Sequence, residues 1–277
     1  MKAHVVSGAV SSLQALFRAD EAGFMDNHSY LGRISYNGEL SPTHGVLSAL
    51  QEAHLLSVPF ENLDIHRGVK IVLDLPRLFQ KVVVMMRGGF CYELNGLFHW
   101  LLQDLGFRAK LLMARVYNRT RNEYGAEFDH MLIQVDLEDQ SWIVDVGFGE
   151  LSMHPLAFVL NQDLVDTNGR FLIEKETDEW LRVARFSGEE NQFVPEYKFS
   201  VKERRLGDFS AMCLYHQTSP QSHFTRNRIC SIATPAGRIS LSDDKLIITE
   251  RGMKNETPIG SKQEFDRVLD RYFSIRL

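Results

Sequence analysis

Three β-rich runs in the middle of the chain, AKLLMARV, HMLIQVDL and SWIVDVGF, set the strongest limit on its fold. A polar turn around Glu138, Asp139 and Gln140 joins the last two, and RFLIEK, WLRVARF and YKFSV continue the series. Strands that follow one another across short turns pair antiparallel. The stretch 108–205 is therefore expected to form an antiparallel sheet or barrel.

The flanking regions read differently. From 25 to 107 the signals are helical. Ser41-Pro42 looks like an N-cap followed by proline at the first helical position, with Leu47, Leu50 and His54 to Leu55 along one face. After Leu75-Pro76, the residues Leu78, Phe79, Val82, Val83 and Met86 recur at helical spacing despite the β-branched Val82 to Val84. Gly88-Gly89 interrupts that pattern. A further helix is expected to bury Leu94, Leu97, Phe98, Leu101, Leu102 and Leu105, with Gly106 as its stop. From 206 to 277 a helical start near Asp208 leads to a coil, YHQTSPQSHF. Short strands in ICSIAT, RISL and KLIITE follow, and QEFDRVLDRYF closes the chain as a helix. The class is α+β. Residues 1–24 lack a clean signal-cleavage site, because Arg18, Asp20 and Glu21 follow the weakly apolar middle. They read as a short extra helix, or as an over-extended start with Met25 as initiator.

Composition narrows the function. The 277 residues suit one large domain or two to three small ones, and 44% hydrophobic with 24% charged residues is ordinary for a soluble protein. A net charge of -5 argues against non-specific nucleic-acid binding but leaves room for a local basic pocket. No apolar run approaches the ~18 residues of a membrane span. Cys91, Cys213 and Cys230 are odd in number and widely spaced, which fits a reducing, cytoplasmic setting. The ten histidines form no H-E-x-x-H spacing, so no metal is expected. GFGE at 147–150 lacks the dinucleotide fingerprint and the phosphate-loop lysine. Asn118-Arg-Thr matches a glycosylation acceptor, but nothing else points to secretion.

The chemistry-bearing stretch is RGGFCYELN at 87–95. A thiol is a good nucleophile only as thiolate, and near neutral pH an ordinary cysteine is mostly protonated. A helix start and a neighbouring imidazolium both favour ionisation. Cys91, placed after two glycines at the mouth of a buried helix, has the first. His130 opens HMLIQVDL and Asp145 lies near the end of SWIVDVGF. A hairpin centred between Leu137 and Glu138 sets the two directly opposite, and a register shift of two keeps them on one face, a rung apart. Cross-strand neighbours at that distance suit a carboxylate–imidazole hydrogen bond. Each residue also has a plainer reading: a structural cysteine, a satisfied strand histidine, a turn or cap aspartate.

Five segments, taken in order, resemble the arylamine N-acetyltransferases. They are VPFENLDIH at 58–66, RGGFCYELNG at 87–96, DHMLIQV at 129–135, WIVDVGFG at 142–149 and QTSPQSHF at 217–224. The resemblance covers roughly Met25 to the C-terminus. It implies a cysteine-protease-like core with an N-terminal helical bundle (25–107), a central β-barrel (108–205) and a C-terminal α/β lid (206–277), after an N-terminal extension (1–24). It implies Cys91 as acetyl acceptor, His130 as acid/base and Asp145 as its orienter. It further implies acetyl-CoA as co-substrate and an aromatic amine or hydrazine as acceptor, with no nucleic-acid or membrane partner. Phe60, Val116, Phe148, Gly149 and Phe224 would line the acceptor pocket, although core packing explains Val116 equally well. Arg87 and Glu93 would pair near the cysteine. Lys202, Arg204, Arg205, Arg226 and Arg228 are candidates for the coenzyme phosphates, although a solvated basic face is the plainer reading for most of them. Asn118 stands where some relatives carry a pocket aromatic, and the chain ends soon after its last helix, so no tail contribution to coenzyme binding is expected. The alternative with the same three residues is a cysteine hydrolase of the peptidase or transglutaminase-like type.

Overall fold

The computed structural model describes residues 25–138 and 140–277. The N-terminal extension 1–24 and Asp139 of the turn lie outside the described residues. Helices α1 (Asn27–Arg33) and α2 (His44–Ser57) each start on a polar cap, Asp26 accepting from the Ser29 N–H and Thr43 from that of Val46. The expected Ser41-Pro42 start is thus displaced. Thr43 offers the same hydroxyl acceptor in the extended conformation an N-cap needs, and Pro42 falls outside the helix. Leu47, Leu50 and His54 form the buried face as expected, while Leu55 is only half-buried.

Next come β1 (Phe60–Glu61), α3 (Leu63–His66) and α4 (Leu75–Phe79). Helix α4 runs into a wider π-turn at Gln80–Val84. The β-branched run sits in that turn, where its crowding against a regular α-turn is relieved. The expected continuous helix is broken there, and Met86 is exposed with φ 56°. Helix α5 (Cys91–Asp104) then fully buries Leu94, Leu97, Phe98, Leu101 and Leu102. Gly106, at φ 87°, supplies the left-handed residue that ends it.

The central strands are β2 (Arg108–Asn118), β3 (Glu123–Tyr124), β4 (His130–Leu137), β5 (Gln140–Val144), β6 (Leu156–Ala157), β7 (Leu164–Asp166), β8 (Gly169–Lys175), β9 (Leu181–Ser187) and β10 (Gln192–Phe199). They pair in the order β6-β5-β4-β2-β10-β9-β8-β7, with β3 on β2, and every pairing is antiparallel. Leu132 and Ile143 from one end share a core with Phe171 and Val183 from the other, so the sheet is nearly closed and barrel-like. Its other face packs Met113, Met131 and Ile133 against the α5 core.

A 3₁₀ turn at Leu206–Phe209 leads to α6 (Ser210–Thr218) and α7 (His223–Arg226). Most of the expected coil is therefore helical, with the break confined to the residues between them. Strands β11 (Ile229–Thr234), β12 (Gly237–Ser242), β13 (Lys245–Glu250) and β14 (Met253–Pro258) follow, then α8 (Lys262–Phe273). They form a second sheet in the order β1-β11-β12-β13-β14, so a two-residue strand from the helical part is stitched onto the C-terminal sheet. Phe265, Leu269 and Phe273 of α8 pack on it.

The same β1 segment anchors the loop before Cys91. The Glu61 N–H donates to Gly89 O at 2.8 Å, and a Cβ on Gly88 would lie 1.9 Å from Pro59 O. Close backbone approach, not a turn, is what requires glycine here. Beneath this contact lies a buried ionic cluster. Arg87 reaches Glu61 Oε1 at 2.7 Å and Asp64 Oδ1 at 3.0 Å, whereas Lys81 reaches Glu93 Oε1 at 2.8 Å and Asp64 Oδ2 at 3.0 Å. The expected Arg87–Glu93 pair is thus corrected. Glu93 turns back to accept the Phe90 N–H at 3.1 Å, which leaves Lys81 as its cation and Arg87 to the β1 side.

Candidate active site

Cys91 is the first residue of α5, preceded by Phe90 in an extended conformation. Its own N–H belongs to the first helical turn, which has no intrahelical acceptors. Two contacts fix what faces it. Gly147 packs directly on it, since a Cβ there would lie 2.7 Å from Cys91 Cα and 2.8 Å from Asn95 Nδ2. The Tyr92 hydroxyl donates to Phe128 O at 2.8 Å and is 3.1 Å from Asp129 O. That ties the segment entering β4, and hence His130, to the helix that starts at Cys91.

The hairpin register pairs Ile133 with Val144 and Leu137 with Gln140, the alternative shifted by two. His130 and Asp145 therefore share a face one rung apart, and His130 Nε2 lies 2.7 Å from Asp145 Oδ2. The paired strand ends at Val144 rather than running through SWIVDVGF. The chain is diverted because the Val146 N–H donates to Asn95 Oδ1 at 2.9 Å and the Gly147 N–H to Asp145 Oδ1 at 2.9 Å. Asn95, one helical turn beyond Cys91, also donates to Asp145 Oδ1 at 2.9 Å and to Met131 O at 2.6 Å. A carboxylate accepts only, so Nε2 of His130 carries a ring proton, which in the neutral imidazole leaves the lone pair on Nδ1. Cys91, His130 and Asp145 are buried, with 3%, 2% and 3% of their surface exposed.

Burial pushes the Cys91 thiol well above its ordinary range, and the nearby charges of Asp145 and Asp129 push it further. A backbone hydrogen bond from Met131 works in the opposite sense but does not prevail. The helix start, one of the two influences expected to favour ionisation, is therefore outweighed. Desolvation of a sulfur anion outweighs the half-charge of a helix terminus.

Cys91 and His130 open onto one cavity of about 620 Å³. Phe60, Val116, Phe148, Gly149 and Phe224 all line it, and so does Asn118. The Phe148 ring meets His130 edge-on at 5.2 Å, and Phe60 lies 6.1 Å from Phe224. The structure thus gathers every expected pocket residue around the cysteine. None of Lys202, Arg204, Arg205, Arg226 and Arg228 borders the cavity. Arg228 instead pairs with Asp243 and stacks 3.8 Å over Phe265, and Arg204 lies over Phe128 at 5.2 Å.

Three features of the site were not legible as functional. Asn95 sits inside a quoted motif, but an asparagine four residues after a cysteine signals nothing by itself. Asp129 and His216, joined at 3.1 Å, both line the cavity although far apart in sequence. Arg238 lines it too, from within a segment read only as a strand.

Comparison with known proteins places this geometry. A sequence model of the N-acetyltransferase family matches residues 44–277. The chain is 34% identical to a pineal-gland isozyme of arylamine N-acetyltransferase from Gallus gallus, covering 91% of this chain and 95% of that one. Arylamine N-acetyltransferase from Salmonella typhimurium superposes with a TM-score of 0.85 at 27% identity, over 90% of each chain. An arylamine N-acetyltransferase from Bacillus cereus, described as having a unique Cys-His-Glu catalytic triad, shares the fold at 24% identity. Its TM-score is 0.84, over 92% of this chain and 100% of that one.

Proposed function

The chain belongs to the arylamine N-acetyltransferase family, and from that membership we propose that it moves an acetyl group from acetyl-CoA to an arylamine or arylhydrazine nitrogen through an acetyl-Cys91 intermediate. The observation that carries this reading is a buried cysteine and an Asp145-oriented histidine opening together onto one aromatic-walled cavity.

In the first half-reaction His130 Nδ1 takes the Cys91 proton as the sulfur attacks the thioester carbonyl. The resulting imidazolium is held by Asp145, so the pair's net charge does not change and the burial penalty on a lone thiolate is avoided. The Cys91 N–H, in the first helical turn where no intrahelical acceptor exists, would stabilise the oxyanion. Thioester exchange is nearly balanced in energy, so the acetyl group is stored without a deep trap. Coenzyme A leaves as the thiol, taking that proton back from the His130 imidazolium, and the amine enters the same cleft between Phe60, Val116, Phe148, Gly149 and Phe224. An aromatic amine is already neutral at pH 7. It loses a proton to His130 as the tetrahedral intermediate collapses. Aromatic walls suit flat rings. The three free cysteines fit a cytoplasmic setting.

Steady-state kinetics test the proposal. Release of coenzyme A is expected to depend on added arylamine and to give parallel double-reciprocal lines against acetyl-CoA. Acceptor-independent release, or steady cleavage of peptide substrates, would instead indicate the hydrolase.

The thiol's environment adds an expectation about pH. With His130 present, Cys91 is expected to react with iodoacetamide at pH 6 faster than free cysteine. In His130→Gln no base takes the proton, and a thiol raised by burial carries less thiolate than free cysteine at every pH below its own pKa. Each unit of elevation removes about tenfold of the thiolate. Alkylation of that variant is therefore expected to fall below free cysteine at pH 6. Equal rates in the two proteins would contradict the pairing.

A further inference from the structure

One wall of the cavity carries chemistry that acetyl transfer does not use. Phe60 pairs with Ser231, and Ser231 with Ser240, so the three form one cross-strand row. Arg238, two residues before Ser240 on the same strand, projects to the same face. All four line the cavity. Ser231 Oγ and Ser240 Oγ lie 2.8 Å apart, and Arg238 Nη1 donates to Ser231 Oγ at 2.9 Å.

That is the guanidinium's one hydrogen bond among the described residues, although the group has five donors. It forms no ion pair among them either. Glu150, whose negative charge it feels, is held by Arg185 at 3.5 Å, and the Arg185 charge repels it. A half-buried cation left this way is costly unless an anion completes it. Arg238 also borders a small niche with Asp145, Phe148 and Gly149. It therefore shares that niche with Asp145, the hydrogen-bond partner of His130. A ring lying along Phe60 would have the Ser231–Ser240 row beside it, because Phe60 and Ser231 are cross-strand partners lining the same cavity as Cys91.

We propose that Arg238, with the Ser231 and Ser240 hydroxyls, determines acceptor specificity by receiving an anionic oxygen group, and that the preferred acceptors are arylamines bearing a ring carboxylate. The proposal rests on the acetyl-transfer reading above. A coenzyme phosphate offers the same oxygen chemistry, so the test varies donor and acceptor separately.

The experiment measures kcat/KM for 4-aminobenzoate and for its uncharged ethyl ester in the wild type, Arg238→Gln and Arg238→Lys. Each acceptor is paired with acetyl-CoA and with the phosphate-free donor p-nitrophenyl acetate. The wild type is expected to favour the acid. Arg238→Gln is expected to lower the acid-to-ester ratio by roughly 10- to 100-fold, mainly through KM and equally with both donors. Arg238→Lys is expected to recover part of the ratio. Should Arg238→Gln fail to fold, Ser240→Ala keeps the guanidinium and is expected to lower the ratio by a smaller factor. An unchanged ratio overturns the proposal. So does a loss confined to acetyl-CoA reactions, which would assign the anion to the donor phosphate. A wild type that acetylates neither acceptor contradicts the acetyl transfer itself, and the proposal with it.

Discussion

Asp145→Asn is expected to fold normally yet lose about 10⁴-fold in turnover, the scale on which a triad fails when its histidine takes the wrong tautomer. The reason lies in the count of donors around the carboxylate. Asp145 accepts from His130 Nε2 through one oxygen and from Asn95 Nδ2 and the Gly147 N–H through the other. An asparagine has one acceptor oxygen and one donor nitrogen. Two donors converge on the Oδ1 side, so the amide oxygen stays there and its NH₂ turns toward His130. The imidazole then accepts at Nε2 and carries its proton on Nδ1, where it cannot take a proton from Cys91. Acetylation kinetics alongside thermal unfolding check this. Turnover within a few-fold of wild type would remove Asp145 from the mechanism.

Gly88→Ala is expected to have the largest effect on stability, a loss on the order of 4 kcal/mol or failure to fold. The new Cβ would meet Pro59 O at 1.9 Å and the Pro59 carbonyl carbon at 2.9 Å, which are backbone atoms that cannot rotate away. Relief requires the β1 segment to move. That breaks the bond from the Glu61 N–H to Gly89 O and pulls Glu61 from the buried Arg87. Separating a buried ion pair exposes the remaining charge to its full desolvation cost. Gly32→Ala is the control, because a Cβ there meets nothing within 4 Å and the site is helical. It is expected to be neutral or to stabilise by up to about 1 kcal/mol. Urea midpoints of the two variants compare them, and equal midpoints would contradict the close-approach account of Gly88.

Much of this was readable because the patterns are strong where burial is one-sided. The α5 face from Leu94 to Leu102 and the β4–β5 hairpin followed from helical and alternating periodicity, and they brought His130 and Asp145 onto one face. What escaped reading had physical causes. Strand β14 is exposed along its whole length, so no apolar alternation marks it. Strand β1 is two residues long, yet it joins the Cys91 loop to the C-terminal sheet. Thr43 and Ser41 offer the same capping chemistry, and only the backbone chooses between them. The partner of Arg87 depended on which of three buried carboxylates lay nearest, a matter of tertiary packing. The same holds for Arg238: alternation puts it beside Ser240, but no pattern says that this face meets the cavity. The electrostatics of Cys91 were only partly legible for a related reason. A helix start is visible in sequence, whereas the depth of burial that overrides it is not.

The proposed chemistry begins with one event, capture of an acyl group by a buried sulfur whose proton has gone to His130. Intact-mass measurement after mixing the protein with acetyl-CoA, no acceptor present, observes it most directly. A gain of one acetyl group, mapped to Cys91 and missing in Cys91→Ala, is the predicted result. An unmodified wild-type protein, or an acetyl group found on another residue, would contradict it.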